Sequence, residues 1–217
     1  MIYFNVLACY LVSMNYVAPN ESVLGTRSSL RVLRVLNGVS LPLSVRQIAQ
    51  QTQLTFPAVS SVLDRLEAAG IVVVARAGNA RTYQLERENL YVQQVVEPIF
   101  CLEDNYLTYM LEDIRETFGQ MALSIILFGS FARRENDASS DVDILLVAKD
   151  KLQVRLIEEA LSEHTSRFYR RFGHSLEALV YDVKDATQLH EKATGLFAEI
   201  RADGYLVSGT ADWMHSE

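Results

Sequence analysis

Cysteine is scarce in this sequence, and its placement excludes two common stabilising devices. The 217 residues include only two cysteines, Cys9 and Cys101. They lie far apart, without a C-x-x-C spacing or a neighbouring histidine, so the sequence indicates neither a disulfide framework nor a zinc site. This cysteine usage is typical of cytoplasmic proteins, and we expect that location.

The start of the chain is apolar but lacks the features of a targeting signal. Residues 2–18 are apolar apart from two asparagines and a serine. They have neither the basic start nor the small-residue cleavage site of a secretory signal, and they are near the lower length limit for a membrane span. We therefore expect no membrane role. Two interpretations of segment 1–21 stay open: a buried terminal helix that could lie at a dimer contact, or an upstream extension of a chain that starts at Met14.

Lysine is missing from the front half of the chain, and the charge is unevenly divided. Residues 22–88 hold eight arginines, no lysine and four acids, whereas residues 89–217 hold twelve bases and twenty-two acids. The front half is therefore basic and the back half acidic, although the total is −7. This asymmetry indicates that the front half meets nucleic acid. With 49% hydrophobic residues, the chain is long enough to bury two small cores.

Residues 22–88 follow the order helix, short strand, helix, turn, helix, hairpin. Ser44 is a credible N-cap for a helix over Val45–Gln51, and Thr55 caps a further helix that has Pro57 in its first turn and ends near Ala69. Residues 71–75 and 81–85 alternate as two strands around a Gly-Asn turn, which is typical of a hairpin. The apolar stripe predicted for the core side of the second helix is Val59, Val62, Leu63 and Leu66.

This order, with Ser44-Val-Arg-Gln-Ile-Ala and Val59-Ser-Ser-Val-Leu-Asp-Arg-Leu-Glu, resembles the winged helix-turn-helix of MarR- and ArsR-type repressors. The resemblance implies that the second helix of the pair enters the major groove of double-stranded DNA and that the wing touches the backbone or minor groove. The residues implied in DNA contact are Pro57, Ser60, Ser61 and Arg65 on the helix and Arg76, Asn79 and Arg81 on the wing. The alternative is a winged helix used for protein contacts.

Residues 89–118 carry a long helical pattern with few breakers. Its apolar surface needs a partner, and a kink at Pro98 would let it pack on both domains or on a second chain. We expect a homodimer, since phosphate contacts dominate DNA affinity and the charge of one copy is modest.

The back half is organised around two carboxylates. An apolar run, Ser124–Phe128, ends in Gly129-Ser130, and a second apolar run begins Asp141-Val142-Asp143. Residues two apart in a strand point to the same face, so the two acids lie side by side. Oxygen ligands of this kind suit Mg²⁺ completed by substrate phosphates, and the Gly-Ser turn offers backbone N–H groups to those phosphates.

Gly129-Ser130, Arg133 and Ser140-Asp141-x-Asp143 together resemble the signature of minimal nucleotidyltransferases of the polymerase-beta superfamily, over roughly residues 119–210. The resemblance implies that Asp141 and Asp143 bind Mg²⁺ or Mn²⁺ and that Gly129 and Ser130 hold the phosphates of a nucleoside triphosphate. Arg133 either neutralises phosphate or forms a salt bridge within the loop. One departure is Arg134, which stands where the family usually has glycine.

The family also needs a third carboxylate on a later strand. Residues 175–182 alternate as a strand, and Glu177 fits this role best because apolar residues flank it. Asp182 is the competitor, although it stands at a strand end where a solvated acid is ordinary.

The sequence thus predicts an α+β protein with a winged helix-turn-helix domain, a connecting helix, and an α/β nucleotidyltransferase domain with a small mixed sheet. The predicted divisions are an apolar N-terminal segment at 1–21, a DNA-binding domain at 22–88, connecting helices at 89–118 and a nucleotidyltransferase domain at 119–217.

Three functions follow. The first is a DNA-bound nucleotidyltransferase that transfers a nucleoside monophosphate to a hydroxyl of a protein, an RNA end or a small molecule, in an autoregulatory or toxin–antitoxin setting with a toxin-like partner. The second is a transcriptional regulator whose nucleotidyltransferase fold is catalytically inactive and serves nucleotide binding or protein contacts. The third is an interaction module without DNA binding.

Overall fold

The computed structural model describes residues 18–77, 80–192 and 195–214. Most of the apolar segment 1–21 and the wing residue Asn79 therefore lie outside the described residues. The chain separates into two compact units, Met1–Asn105 and Tyr106–Glu217. Helices and small sheets occur in both units, so the predicted α+β class is confirmed.

The first unit is a helical domain with a three-stranded antiparallel sheet in the order β1-β3-β2. Its elements are α1 (Pro19–Leu24), α2 (Arg27–Asn37), β1 (Leu43–Ser44), α3 (Val45–Thr52), α4 (Phe56–Ala68), β2 (Val72–Ala77), β3 (Ala80–Leu85), a π-helical turn (Val92–Val96) and the first part of α5 (Glu97–Phe118). Helix α5 contributes residues to both units.

Local capping fixes the helix pair of this unit. The Ser44 hydroxyl accepts a hydrogen bond from the Gln47 backbone N–H at 3.4 Å, and the Gln47 side chain accepts one from the Ser44 N–H at 2.9 Å. This reciprocal capping box confirms Ser44 as the N-cap of α3. Thr55 is the N-cap of α4 by its extended backbone, but its side chain makes no capping hydrogen bond. The fixed φ of Pro57 in the first turn supports the start of that helix instead.

A single apolar cluster holds α2, α3 and α4 against the hairpin. The four predicted core residues of α4 are all buried: Val59, Val62, Leu63 and Leu66. They pack with Leu33 and Leu36 of α2 and with Ile48 of α3. The 3.6-residue spacing that predicted the stripe is therefore satisfied by burial, and the opposite face of α4 stays in solvent.

The second unit contains a four-stranded mixed sheet in the order β6-β5-β4-β7. Its elements after α5 are β4 (Ser124–Phe128), α6 (Gly129–Arg133), β5 (Val142–Ala148), α7 (Lys151–Phe172), β6 (Leu176–Asp182), α8 (Val183–Lys192), α9 (Leu196–Asp203), β7 (Tyr205–Gly209) and a 3₁₀ turn (Asp212–Met214). Strand β5 runs parallel to β6 and antiparallel to β4, which itself is antiparallel to β7.

Both faces of this sheet are covered. On one face, Ile144 and Leu146 of β5 pack with residues of α5 and α7. On the other face, Leu145 and Val147 pack with residues of α8, α9 and the final turn. Because alternate residues of a strand share a face, Asp143 lies on the side of Leu145 and Val147.

A buried polar cluster fastens α5 to α7. His164 Nε2 lies 2.9 Å from Asp113 Oδ2, and both side chains are buried. Arg171 donates to the other oxygen of Asp113. Burial lowers the pKa of His164, and the neighbouring Asp113 partly opposes that shift. The His164 ring and the Asp113 carboxylate are both buried, so this cluster lies in the layer behind the sheet.

Candidate functional site

Two adjacent strands, β5 and β6, bring acidic groups of the second unit together. Asp143 lies opposite Phe128 in the antiparallel β4–β5 pair and opposite Glu177 in the parallel β5–β6 pair. Residues paired in this way project to the same face of the sheet. Asp143 is partly buried, whereas Glu177 on the edge strand is exposed. The register therefore sets the two carboxylates side by side at one end of the sheet.

The loop before β5 fixes the position of Asp141. The Asp137 carboxylate accepts hydrogen bonds from the backbone N–H and the hydroxyl of Ser139, at 2.8 and 2.7 Å. The next residue, Ser140, has its carbonyl oxygen 2.9 Å from His174 Nδ1, and the Val142 N–H donates to the Ser175 carbonyl at 2.8 Å. These bonds tie both sides of Asp141 to the start of β6.

Gly129 lies directly against the Asp143 carboxylate. Its φ is +71°, a left-handed conformation that favours glycine. A Cβ at this position would lie 2.2 Å from Asp143 Oδ2, much closer than any real contact. Glycine is therefore required at position 129 for two reasons, its backbone conformation and the space that Asp143 occupies.

The acids at this end of the sheet repel one another. The pKa of the Asp143 carboxyl is raised, chiefly by burial and then by the charges of Glu177 and Asp141, while Arg133 acts in the opposite direction. Glu199 of α9 adds a smaller repulsion. A cluster of this kind favours a cation between the carboxylates.

A divalent metal fits two of these carboxylates. Among the described residues, no group of three or more histidine, cysteine, aspartate or glutamate side chains is arranged to hold a metal ion. Mg²⁺ does not need such a cage, since one or two carboxylates, waters and substrate phosphates complete its shell. The raised pKa of Asp143 beside Asp141 is consistent with a pair of oxygen ligands of this type.

Arg133 is engaged within the protein. Its Nε donates to Glu135 Oε2 at 2.9 Å, and its Nη1 lies 3.8 Å from Asp203 Oδ2. The hydrogen bond to Glu135 raises the pKa of the guanidinium, and the neighbouring acids add to this effect. Of the two predicted alternatives for Arg133, this structure contains the salt bridge within the loop. The acid on α9, Asp203, was not singled out by the sequence.

Asp182 stands apart from the acidic cluster. It pairs with Ala148, five positions along β5 from Asp143, a separation of roughly 17 Å at 3.3 Å per residue. Its carboxylate caps α8 by accepting from the Asp185 N–H at 2.9 Å, and it lies 3.0 Å from Lys151 Nζ. These hydrogen bonds lower the pKa of Asp182. Its neighbours give this acid a structural role.

Arg134 occupies a left-handed backbone position, with φ 59° and ψ 35°. Such a conformation costs an arginine about 1 kcal/mol relative to glycine. Replacing Arg134 with Gly is therefore expected to raise the free energy of unfolding by about 0.5 kcal/mol, because the relief of strain exceeds the extra entropy of an unfolded glycine. Urea denaturation measures this change. Arg134→Ala is the control, since it removes the same side chain but keeps the strained Cβ; an equal gain in both variants would contradict the strain argument.

The outer face of α4 carries the predicted DNA-contact residues of the first unit. Pro57, Ser61 and Arg65 are exposed and Ser60 is partly buried. Arg65 reaches back to α2, where its Nη2 donates to Ser29 Oγ at 3.1 Å. Phe56, the first residue of α4, is also exposed. Phe56 was not among the predicted DNA-contact residues, although its place between the Thr55 cap and Pro57 was a usable signal.

The wing residues are described only in part. Arg81 lies opposite Arg76 in the β2–β3 pair. The Arg81 guanidinium donates to Glu67 Oε2 at 2.8 Å and lies 5.5 Å from the centre of the Tyr83 ring. An exposed pair of this kind contributes little to stability, so Arg81 can exchange its partner for a phosphate at small cost.

No helix within the described ranges is long and apolar enough to cross a membrane.

Two family models match this chain. Residues 26–81 match the MarR family, and residues 112–210 match the family described as polymerase beta, nucleotidyltransferase. The predicted combination of an N-terminal helix-turn-helix with a C-terminal nucleotidyltransferase domain is confirmed.

A curated relative is similar to part of the chain. A protein of Methanocaldococcus jannaschii, named for an inferred protein adenylyltransferase activity (MJ1305), is 32% identical over 83 residues. The match covers 38% of this chain and 56% of the relative. The chain thus spans little more than half the length of that relative.

Two solved structures are similar to this chain at low scores. The homodimeric winged helix-turn-helix domain of Mb0332 from Mycobacterium bovis, a possible ArsR-family regulator, has 23% identity and a TM-score of 0.35, covering 42% of this chain and 81% of that one. A toxin–antitoxin crystal structure with AMP-PNP has 20% identity and a TM-score of 0.35, covering 48% of this chain and 77% of that chain. Both scores are too low to carry a conclusion about this chain.

Proposed function

We propose that this chain, in which a MarR-family helix-turn-helix domain is joined to a nucleotidyltransferase domain of the polymerase beta family, is an active nucleotidyltransferase that binds double-stranded DNA. It transfers a nucleoside monophosphate from a nucleoside triphosphate to a hydroxyl acceptor. The observation that carries the proposal is the packing of Gly129 against Asp143, with Glu177 on the adjacent strand.

The proposed roles follow from this arrangement. Asp141 and Asp143 would hold Mg²⁺ or Mn²⁺, which would supply positive charge opposite the triphosphate. The backbone N–H groups of Gly129 and Ser130 bind the β- and γ-phosphates. Glu177 takes the proton of the acceptor hydroxyl, whose oxygen attacks the α-phosphorus. The bond between the α-phosphorus and the bridging oxygen breaks, and pyrophosphate leaves with that oxygen.

The donor and acceptor are proposed by similarity. The name of the M. jannaschii relative favours ATP as the donor and a protein hydroxyl as the acceptor. RNA ends and small molecules stay as alternative acceptors. Arg133 would have to leave Glu135 and Asp203 to meet a phosphate, which exposed ion pairs allow at little cost.

A labelling experiment tests this function. The full chain is incubated with Mg²⁺, bacterial lysate and ATP labelled at either the α- or the γ-phosphate. Transfer of a nucleoside monophosphate places the α-label, but not the γ-label, on protein, RNA or a small molecule. Nuclease and protease digestion identify a macromolecular acceptor, and thin-layer chromatography detects a labelled small molecule. Absence of α-label with each of the four nucleoside triphosphates, and with Mn²⁺ in place of Mg²⁺, would exclude the enzyme.

The second candidate is a regulator with an inactive nucleotidyltransferase fold. Two observations favour it: Arg133 is paired within the protein, and Arg134 replaces the expected glycine. Isothermal titration and the α-label experiment together separate the two candidates, because an inactive fold binds a nucleoside triphosphate but transfers no α-label to an acceptor. An interaction module without DNA binding would be supported if the chain fails to retain duplex DNA at low salt.

The DNA-binding part of the proposal concerns α4 and the wing. Binding to duplex DNA from the protein's own promoter region is measured by fluorescence anisotropy at several salt concentrations. Phosphate contacts make the affinity fall steeply with salt. Arg65→Ala and Arg81→Ala should both weaken binding; unchanged affinity in both variants would exclude this face.

A second copy of the chain is the proposed partner for the exposed side of α5. Ile99 and Leu102 lie three residues apart on this helix and are exposed, Leu102 at 51%. Leu102→Glu is expected to lower the fraction of dimer at least about tenfold, because it introduces a desolvated charge into an apolar contact. Sedimentation equilibrium measures this, with Leu90→Glu, which alters a similarly exposed leucine outside α5, as the control. Equal effects of both substitutions would contradict a specific α5 contact.

The biological setting is also a proposal. A DNA-binding domain on a nucleotidyltransferase suits a protein that represses its own operon, and a small toxin-like protein encoded beside it would be both partner and acceptor. Co-expression of the chain with the product of the neighbouring gene tests this setting. A neighbour that is neither bound nor labelled would exclude it.

A further inference from the structure

Phe56 is the exposed exception among the phenylalanines within the described ranges. Its side chain is 58% exposed. The other phenylalanines in the described part of the chain are at most 7% exposed: Phe100, Phe118, Phe128, Phe131, Phe168, Phe172 and Phe197. The exposed ring of Phe56 does not gain the burial free energy that these residues gain on folding. Its position therefore favours contact with a ligand.

Its place in the fold determines which ligand the ring meets. Phe56 is the first residue of α4, the second helix of the helix-turn-helix pair. In this motif the N-terminal residues of that helix contact base edges in the major groove. The adjacent Pro57 is exposed as well, so the leading end of the helix presents an apolar surface.

The other groups on the outer face of α4 are polar and would meet bases through hydrogen bonds. Ser60 and Ser61 carry hydroxyls, which pair with any base. Asp64 and Arg65 have opposite charges, and Arg65 is hydrogen-bonded to Ser29. Apolar contact with a base is therefore left to the exposed end of this helix, at Phe56 and Pro57.

We propose that Phe56 is a specificity-determining residue that packs against the 5-methyl group of thymine in the major groove. The thymine methyl is the apolar group that base pairs present there, and an aromatic side chain is a suitable partner for it. This inference rests on the proposed DNA binding and adds the base class that the protein prefers. In a dimer, the contact occurs once in each half-site.

The test removes one methyl group at a time. A duplex is selected from a random library with the full-length protein, and each thymine of the selected site is then replaced by deoxyuridine, which lacks only the 5-methyl. For the wild type, each half-site is expected to contain one thymine whose replacement weakens binding. Each such replacement, made singly, is expected to weaken binding about fourfold, the value of one buried methyl group. Phe56→Ala should bind the thymine and deoxyuridine duplexes equally.

Two further variants keep the result interpretable. Phe56→Leu retains an apolar side chain and should keep part of the preference for thymine. Leu41→Ala removes another exposed apolar side chain of the same unit, one outside α4 that is 76% exposed, and should keep the full preference. Circular dichroism melting verifies that each variant is folded.

The outcomes separate this inference from the DNA-binding proposal. If the wild type binds a selected duplex but no deoxyuridine replacement changes the affinity, the proposed thymine contact is wrong and the DNA-binding proposal stands. The same conclusion follows if Phe56→Ala keeps the thymine preference, or if it alters the oligomeric state and leaves the preference intact. If no duplex is selected even at low salt, both proposals fail.

Discussion

Replacement of Asp143 with Asn is expected to lower the rate of nucleotidyl transfer about a thousandfold, because a metal ligand worth several kcal/mol to the transition state is lost. Asp143 is partly buried, and it lies against Gly129 and beside Glu177. Asn keeps the size of the side chain, so the fold is unaffected. Initial rates with α-labelled ATP measure the change.

The same substitution is expected to raise the melting temperature of the protein without nucleotide or metal. Burial and the charges of Glu177 and Asp141 raise the pKa of Asp143 above its value in the unfolded chain. The folded state therefore binds the proton more tightly, and ionisation at neutral pH reduces stability. Asn cannot ionise, so it removes this cost. In the wild type without metal, this cost shrinks as the pH falls from the raised pKa of Asp143 toward its pKa in the unfolded chain.

Asp182→Asn is the matched control for this experiment. Asp182 is a more deeply buried acid of the same sheet, but it caps α8 and pairs with Lys151 at the far end of β6. Its amide variant should lose stability and keep the transfer activity of the folded protein. Full activity in Asp143→Asn, or equal loss in both variants, would show that the acidic cluster is not the catalytic centre.

Replacement of Gly129 with Ala is expected to reduce transfer about a hundredfold, since a displacement of about 1 Å at a reacting centre has an effect of this size. The new Cβ would meet Asp143 Oδ2 at 2.2 Å, so the carboxylate has to move. The backbone φ of +71° adds strain of about 1 kcal/mol. Steady-state kinetics should place most of the loss in kcat/KM for the nucleoside triphosphate.

Gly173 is a close control for Gly129. It has the same φ of +71°, but a Cβ added there meets no atom within 4 Å. Gly173→Ala therefore shares the backbone strain, at about 1 kcal/mol, without any displacement of Asp143. We expect it to lower stability and to leave kcat/KM within about twofold of the wild type. Comparable kinetic losses in both variants would attribute the Gly129 effect to strain alone.

Much of this protein is determined by its sequence. Local signals identified Ser44 as an N-cap and the apolar stripe of α4, because capping and helical periodicity act over a few residues. The spacing of Gly129-Ser130 and Asp141-x-Asp143 likewise indicated a polymerase-beta-type domain, and the mixed sheet follows from it. These features depend on neighbours in the chain, which a sequence displays directly.

Partners from distant parts of the chain were decided only by the tertiary structure. The sequence offered two candidates for the third carboxylate, Glu177 and Asp182. In the parallel register of β5 and β6, Glu177 lies beside Asp143, whereas Asp182 lies five positions away. Likewise, Arg133 meets Asp203 of α9, seventy residues further along the chain. Strand register and helix packing are cooperative outcomes of burying both faces of a sheet, so no local pattern specifies which charges finally meet.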